Sequence, residues 1–233
     1  IPYYSLRPGN FLTGLEYRLT RLYNINHTRE ALPWVEEFRP ITATRTDDIR
    51  KSIGIAIIIA GEKNLTNYAH ATDTVRCYGA VHGYPVRQVI IEGNTTLNLL
   101  CRQNMLNFQR HCIMRQVMKE FSEDWVLFLS GDVGIVNPNH ILESYLPSND
   151  SINMVFYDRI FNFEVITESY FARNNVYSQA FLQYYADTFY ALPNVPRSNE
   201  DNGAIQSVIL NISAPALRDR NMICQKRLWN RSK

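Results

Sequence analysis

Five consecutive apolar residues, Trp125-Val126-Leu127-Phe128-Leu129, end abruptly at Ser130-Gly131-Asp132. A run of that length without alternation fits a strand covered on both faces. A carboxylate beside a glycine just past such a strand lies where open α/β sheets place ligand groups. Val133, Ile135 and Val136 resume β-type sequence. Asn137-Pro138 then reads as an N-cap with proline at the first helical position, opening a short helix through His140–Tyr145. The bland alternative is a strand closed by an ordinary acidic turn.

Other stretches fit the same plan. Ile53–Ala60 is a β-branched run ending at Gly61, which predicts a first buried parallel strand. The small-residue turn Ala60-Gly61-Glu62 at its carboxyl end would let a nucleotide approach the backbone. Residues 65–82 predict a helix that Gly83 and Pro85 terminate. His82 reads as closing that helix through the C-terminal dipole. Val86–Ile91 is a second strand, and strand, helix and strand in succession imply a parallel unit. A helix over 103–121 carries Leu106, Ile113, Val117 and Phe121 on an apolar stripe, with Arg110 and Arg115 read first as a solvated face and second as able to reach a phosphate. Ile152–Tyr157 is another strand, and 159–174 alternates like a hairpin turning near Thr167-Glu168. Tyr177, Phe181, Tyr184, Tyr185 and Phe189 recur at helical spacing, which reads first as core and second as a sugar-binding platform. A polar loop, Arg197–Gly203, precedes an apolar helix start; its two carboxylates and two amides could bind hydroxyls, or could be plain turn chemistry.

Composition bounds the function. A chain of 233 residues with 45% hydrophobic and 20% charged residues suits one α/β domain or two small ones. A net charge of +2 makes no case for nucleic acid. The longest apolar run is too short to span a bilayer, so any membrane anchor would lie outside this chain. Residues 1–50 read as a helical or stem segment, with Leu12, Leu15, Leu19 and Leu22 at helical spacing; 51–233 form the main domain. Six Asn-x-Ser/Thr sites, at Asn26, Asn64, Asn94, Asn149, Asn211 and Asn230, point to the secretory pathway. Cys77, Cys101, Cys112 and Cys224 lack zinc-type spacing. On one helix Cys101 and Cys112 would lie about 16 Å apart, beyond a disulfide. A bridge from either to Cys77 or Cys224 is therefore expected, with four free thiols as the alternative.

Taken together, HGYP, WVLFLSGDVGIVNP, FYDRIFNFEV, ESYFARNNVYSQAFLQYYADTFYALP and NEDNGAI closely resemble a nematode-expanded family of nucleotide-diphospho-sugar-transferase-like proteins. The similarity extends more distantly to secretory galactosyl-, mannosyl- and xylosyltransferases, and covers about residues 53–210. It implies a GT-A-like α/β fold: a mostly parallel central sheet flanked by helices, with a β-hairpin and acceptor-side helices. It further implies a nucleotide-diphosphate sugar donor, a glycan acceptor, Mn²⁺ or Mg²⁺, and the Golgi lumen or secretion. Asp132 and Ser130 would hold the metal. Ala60, Gly61, Ser130, Asp132, Ser169 and Arg173 would contact the donor, and Asp201 and Asn202 would orient the sugars. Two departures stand out. Ser130 replaces the first acid of the expected Asp-x-Asp, and all five histidines precede the second half of the fold. A fold kept for glycan or nucleotide binding without turnover is the alternative they imply.

Overall fold

The computed structural model describes residues 3–5, 52–159, 162–191 and 200–231. At its centre lies β2 (Ile53–Ile59), seven residues buried throughout. Ile53, Ile55, Ile57 and Ile59 face one side of the sheet, and Ala56 and Ile58 face the other. Such burial stabilises by about 1.5–3 kcal/mol per large aliphatic side chain. Gly54 is required because a Cβ there would sit 2.3 Å from the Phe121 ring.

Two helices, α1 (Glu62–Asn67) and α2 (Ala69–His82), follow β2 and lead to β3 (Val86–Ile90). The sequence predicted one helix here; the chain breaks it at Tyr68, which caps both pieces. Gly83 takes the left-handed conformation, φ 74°, that ends α2 as expected. His82 does more than close the helix, since its Nε2 hydrogen-bonds the Pro138 carbonyl at 2.8 Å. After α3 (Thr95–Leu100) and α4 (Leu106–Met118) comes β4 (Trp125–Ser130), the expected apolar strand. Val133–Val136 is not a strand, and Pro138 does not open a helix. Asn137 Oδ1 instead accepts from the Asn139 amide, and a single 3₁₀ turn forms later at Leu142–Tyr145.

Strands β5 (Met154–Asp158) and β6 (Val165–Arg173) form an antiparallel hairpin. Its turn lies before β6, so Thr167-Glu168 is not the turn expected from the alternation. A bulge sits there instead: Phe156 pairs with Tyr170 while Tyr157 pairs with Ile166, so Thr167, Glu168 and Ser169 have no partner on β5, although Ser169 still pairs with Leu129 of β4. Helix α5 (Val176–Asp187) is capped by Asn175, whose Oδ1 accepts from the Ser178 amide at 3.0 Å. Helices α6 (Glu200–Ser213) and α7 (Arg218–Arg231) complete the described chain. Tyr3–Ser5 adds an edge strand, β1, along β5. The helix expected around Leu12–Leu22 lies outside the described residues.

The sheet order is β1-β5-β6-β4-β2-β3. Strands β3, β2, β4 and β5 run one way, and β6 and β1 the other. One face packs on α4, α5 and α6, and the other on α2 and the loop after β4. This is the α/β sheet flanked by helices that the sequence led us to expect. Phe181 and Tyr185 of the aromatic stripe are core, whereas Tyr184 reaches the surface.

Cys101 and Cys112 form a disulfide, contrary to the expected pairing. They are not on one helix. Cys101 caps α3, and the chain turns at Met105 before α4 begins, which brings the two Cα atoms to 5.6 Å. Cys77 and Cys224 are free and exposed.

Candidate functional site

A cleft of about 220 Å³ opens at the carboxyl ends of β2 and β4. Ala60, Ser130, Gly131 and Asp132 line it from the strand ends, Asn64 and Tyr68 from α1 and its break, Asn107 and Arg110 from α4, Glu168 from the bulge in β6, and Asp201 and Asn202 from α6. Five of the residues picked from the sequence, spread over some 140 positions, thus meet in one place. Asp132 is exposed and Ser130 half-buried at the mouth. Gly131 is tight, since a Cβ would meet Ile59 Cγ1 at 2.8 Å and the Tyr68 ring at 3.4 Å.

The cleft floor is a buried polar cluster. Asp201, 1% exposed, accepts from Arg110 Nη2 at 2.5 Å and from Thr167 Oγ1 at 3.2 Å through Oδ2, and its Oδ1 accepts from the Asn202 amide at 2.9 Å. The Thr167 amide donates to Asn202 Oδ1 at 3.2 Å, and its one hydroxyl proton is shared between Asp201 Oδ2 and Asn202 Oδ1, the latter at 3.1 Å. The Tyr185 hydroxyl donates to the Asp201 carbonyl at 2.8 Å. Burial pushes the Asp201 carboxyl up, but contact with His111 and the Arg110 charge outweigh it and hold the group below the usual carboxylate value. Of those two partners Arg110 is the one that matters at neutral pH. Burial lowers His111 to about 4, so its ring is uncharged there, and its Nε2 stands 3.7 Å from Asp201, too far for a hydrogen bond. Arg110 keeps its Nε buried without a hydrogen-bond partner among the described residues.

Several expectations are corrected by this geometry. Asp201 and Asn202 begin a helix rather than a free loop; both line the cleft, and their side-chain oxygens are engaged by Arg110, Thr167 and the Asn202 amide. Gly61 does not line the cleft. Its missing side chain makes room for the Glu92 carboxylate, which a Cβ would approach to 2.2 Å and which accepts from the Glu62 amide at 3.0 Å. Ser169 lines a different, apolar cavity of about 420 Å³ under the loop after β4, with Leu127, Leu129, Tyr157 and Phe171. Arg173 sits opposite Trp125 at the other end of β4 and donates to the Asp150 carbonyl.

Several lining residues, Asn107 among them, do not stand out as site residues in the sequence. Glu168 reads as a turn residue, and Arg110, whose first reading is a solvated side chain and whose second is a phosphate contact, is 8% exposed. Asn64 and Tyr68, one helical turn apart just after β2, carried a usable signal: they follow the carboxyl end of the first buried strand.

Whether the cleft suits a divalent cation turns on its donors and its charge. Among the described residues no three His, Cys, Asp or Glu side chains converge as a protein-built metal cage. Asp132 and Ser130 do supply a carboxylate and a hydroxyl, a set that suits a hard cation whose remaining ligands come from phosphate and water. The lining carries three carboxylates, Asp132, Glu168 and Asp201, against one guanidinium, Arg110. An anionic ligand would be repelled there without a cation, so the lining fits one that arrives with the ligand.

No curated protein matches this chain. A solved structure, described as the crystal structure of a glycosyltransferase involved in the glycosylation of the major capsid of PBCV-1, is similar at 20% identity over 63% of this chain and 73% of that one, with a TM-score of 0.47. A family model, described as protein of unknown function DUF273, matches residues 75–233, well over half of the chain, and the protein belongs to that family.

Proposed function

We propose that this protein is a glycosyltransferase of the secretory pathway, moving a sugar from a nucleotide-diphosphate donor to a glycan or glycoconjugate acceptor with a divalent cation, Mn²⁺ or Mg²⁺. The observation that carries the reading is the convergence of Asp132, Ser130, Glu168 and the Arg110–Asp201 pair on one polar cleft at the carboxyl ends of β2 and β4. The strand order and hairpin agree with a GT-A-like arrangement. The buried Cys101–Cys112 disulfide and the six sequons agree with an oxidising lumen.

Asp132 and Ser130 would hold the cation, and Tyr68 and Asn64 would flank the nucleotide at the mouth. A bound divalent cation would neutralise charge developing on the departing diphosphate. Arg110, fixed by Asp201, would add a second positive group from the floor. Glu168 faces the same space from the bulge and is the carboxylate placed to contact the transferred sugar or the incoming hydroxyl.

The test is nucleotide release from a panel of nucleotide sugars with Mn²⁺, against a no-metal control. Release should require the metal and fall about a hundredfold or more in Asp132→Ala. Nucleotide binding without release on any donor or acceptor would favour a binding protein that keeps the fold, a reading that Ser130 in place of an acid supports. Neither binding nor release would overturn both.

A further inference from the structure

Three described sequons have both the asparagine and its hydroxyl partner fixed by hydrogen bonds, and they differ sharply. Asn149-Asp150-Ser151 lies in the loop before β5. Asn149 Oδ1 accepts from the Ser151 amide at 2.9 Å and from the Ser151 hydroxyl at 2.7 Å. The carbonyl side of the amide is thereby engaged by the very residue that completes the sequon, while Nδ2 hydrogen-bonds no described group. Asn64-Leu65-Thr66 is inside α1: Asn64 Nδ2 is spent on the Tyr68 hydroxyl at 3.5 Å, and the Thr66 hydroxyl turns back to the Glu62 carbonyl at 3.4 Å. Asn211-Ile212-Ser213 is inside α6: Asn211 donates to the Tyr184 hydroxyl at 3.4 Å and accepts from Asn221 Nδ2 at 3.0 Å, and Ser213 bonds the Ile209 carbonyl at 2.7 Å. Residues two apart on a helix do not face each other, so in both helical sequons the hydroxyl is held away from the amide.

We infer that Asn149 is an acceptor for an N-linked oligosaccharide, and that Asn64 and Asn211 are not. The co-substrate is a lipid-pyrophosphate-linked oligosaccharide. A bond forms between Asn149 Nδ2 and the anomeric carbon, the bond from that carbon to the pyrophosphate oxygen breaks, the amide gives up one proton, and the lipid pyrophosphate leaves. The location is compatible with a working cleft. Asp150, the next residue, receives Arg173, which stands opposite the first residue of β4, so a glycan on this loop projects from the end of the sheet away from Asp132. A glycan on Asn64 would instead enter the cleft that Asn64 lines. The inference rests on the secretory part of the proposed function and not on the transfer reaction.

The full chain should be expressed in eukaryotic cells and recovered from the lumen and the medium. Treatment with a glycan-releasing amidase in heavy-oxygen water, then peptide mapping, reports each occupied asparagine as labelled aspartate. Asn149 should be converted, and Asn64 and Asn211 left as asparagine. Ser151→Ala keeps the backbone donor to Asn149 but should abolish conversion, and Ser151→Thr should retain it. Unconverted Asn149 in the recovered wild-type chain, or conversion at Asn64 or Asn211, overturns the assignment. Either result leaves the nucleotide-release test untouched.

Discussion

Asp201 and Asp132 line the same cleft and have opposite jobs. Asp201 is a buried charge whose oxygens are all engaged, with Arg110 as its ionic partner. Removing its charge in Asp201→Asn strands the guanidinium and should cost about 3–5 kcal/mol, read from urea unfolding. Asp132 is exposed, so Asp132→Asn should leave the urea midpoint in place while weakening ligand binding. A Cm shift in Asp132→Asn as large as that in Asp201→Asn would show the two roles to be misassigned. The buried His111 adds a pH signature. Its folded value, about 4, lies below the ordinary 6.5, so the unfolded chain binds a proton first. Stability should therefore fall as pH drops from about 6.5 to about 4, by roughly 3 kcal/mol over the full shift. His111→Gln should flatten that slope in pH-dependent unfolding, whereas an unchanged slope would place the titration elsewhere. Asp201, also depressed, gives stability that is present above the ordinary carboxylate range and lost only at lower pH.

Among the elements, α3–α4 and the bulge in β6 make the site possible. The disulfide ties the end of α3 to the middle of α4, the helix that carries Arg110 and His111. Replacing both cysteines with alanine should lower stability by about 2–4 kcal/mol, the usual contribution of a bridge closing a short loop. A melting temperature equal to wild type would mean that the bridge does not constrain α4. The bulge sends Thr167 into the floor and Glu168 into the cleft. Thr167→Val, which removes the hydroxyl shared with Asp201, Asn202 and Tyr185, should cost about 1–3 kcal/mol. The strands were legible because burial on both faces writes itself as an uninterrupted apolar run, as in β2 and β4. Gly83 was legible because one residue type suits its backbone. The bulge was not: a polar Thr-Glu pair inside an apolar stretch looks the same as a turn unless the partner strand is known. Nor was the floor, since Arg110 and Asp201 meet across 91 positions and nothing local marks either as paired. The helix start at Glu200 was hidden for the same reason, its acidic and amide residues reading as a loop until their tertiary partners are placed.

At the scale of the whole molecule, the sheet separates a polar cleft from an apolar cavity on its other face, and Glu168 and Ser169, adjacent in the bulge, look into one each. The cleft lining carries more carboxylates than cations, which sets the central claim of the proposed function: an anionic nucleotide should bind there only together with a cation held by Asp132 and Ser130. Ser130→Asp should tighten Mn²⁺ by at least about 1 kcal/mol, because it adds a charge to a neutral ligand. The most direct measurement is calorimetric titration of a nucleoside diphosphate into the folded protein with and without Mn²⁺, in wild type and Asp132→Asn. The account predicts binding that appears with Mn²⁺, vanishes when it is chelated, and is lost in Asp132→Asn. Equal binding with and without the metal, or full binding by Asp132→Asn, would contradict it.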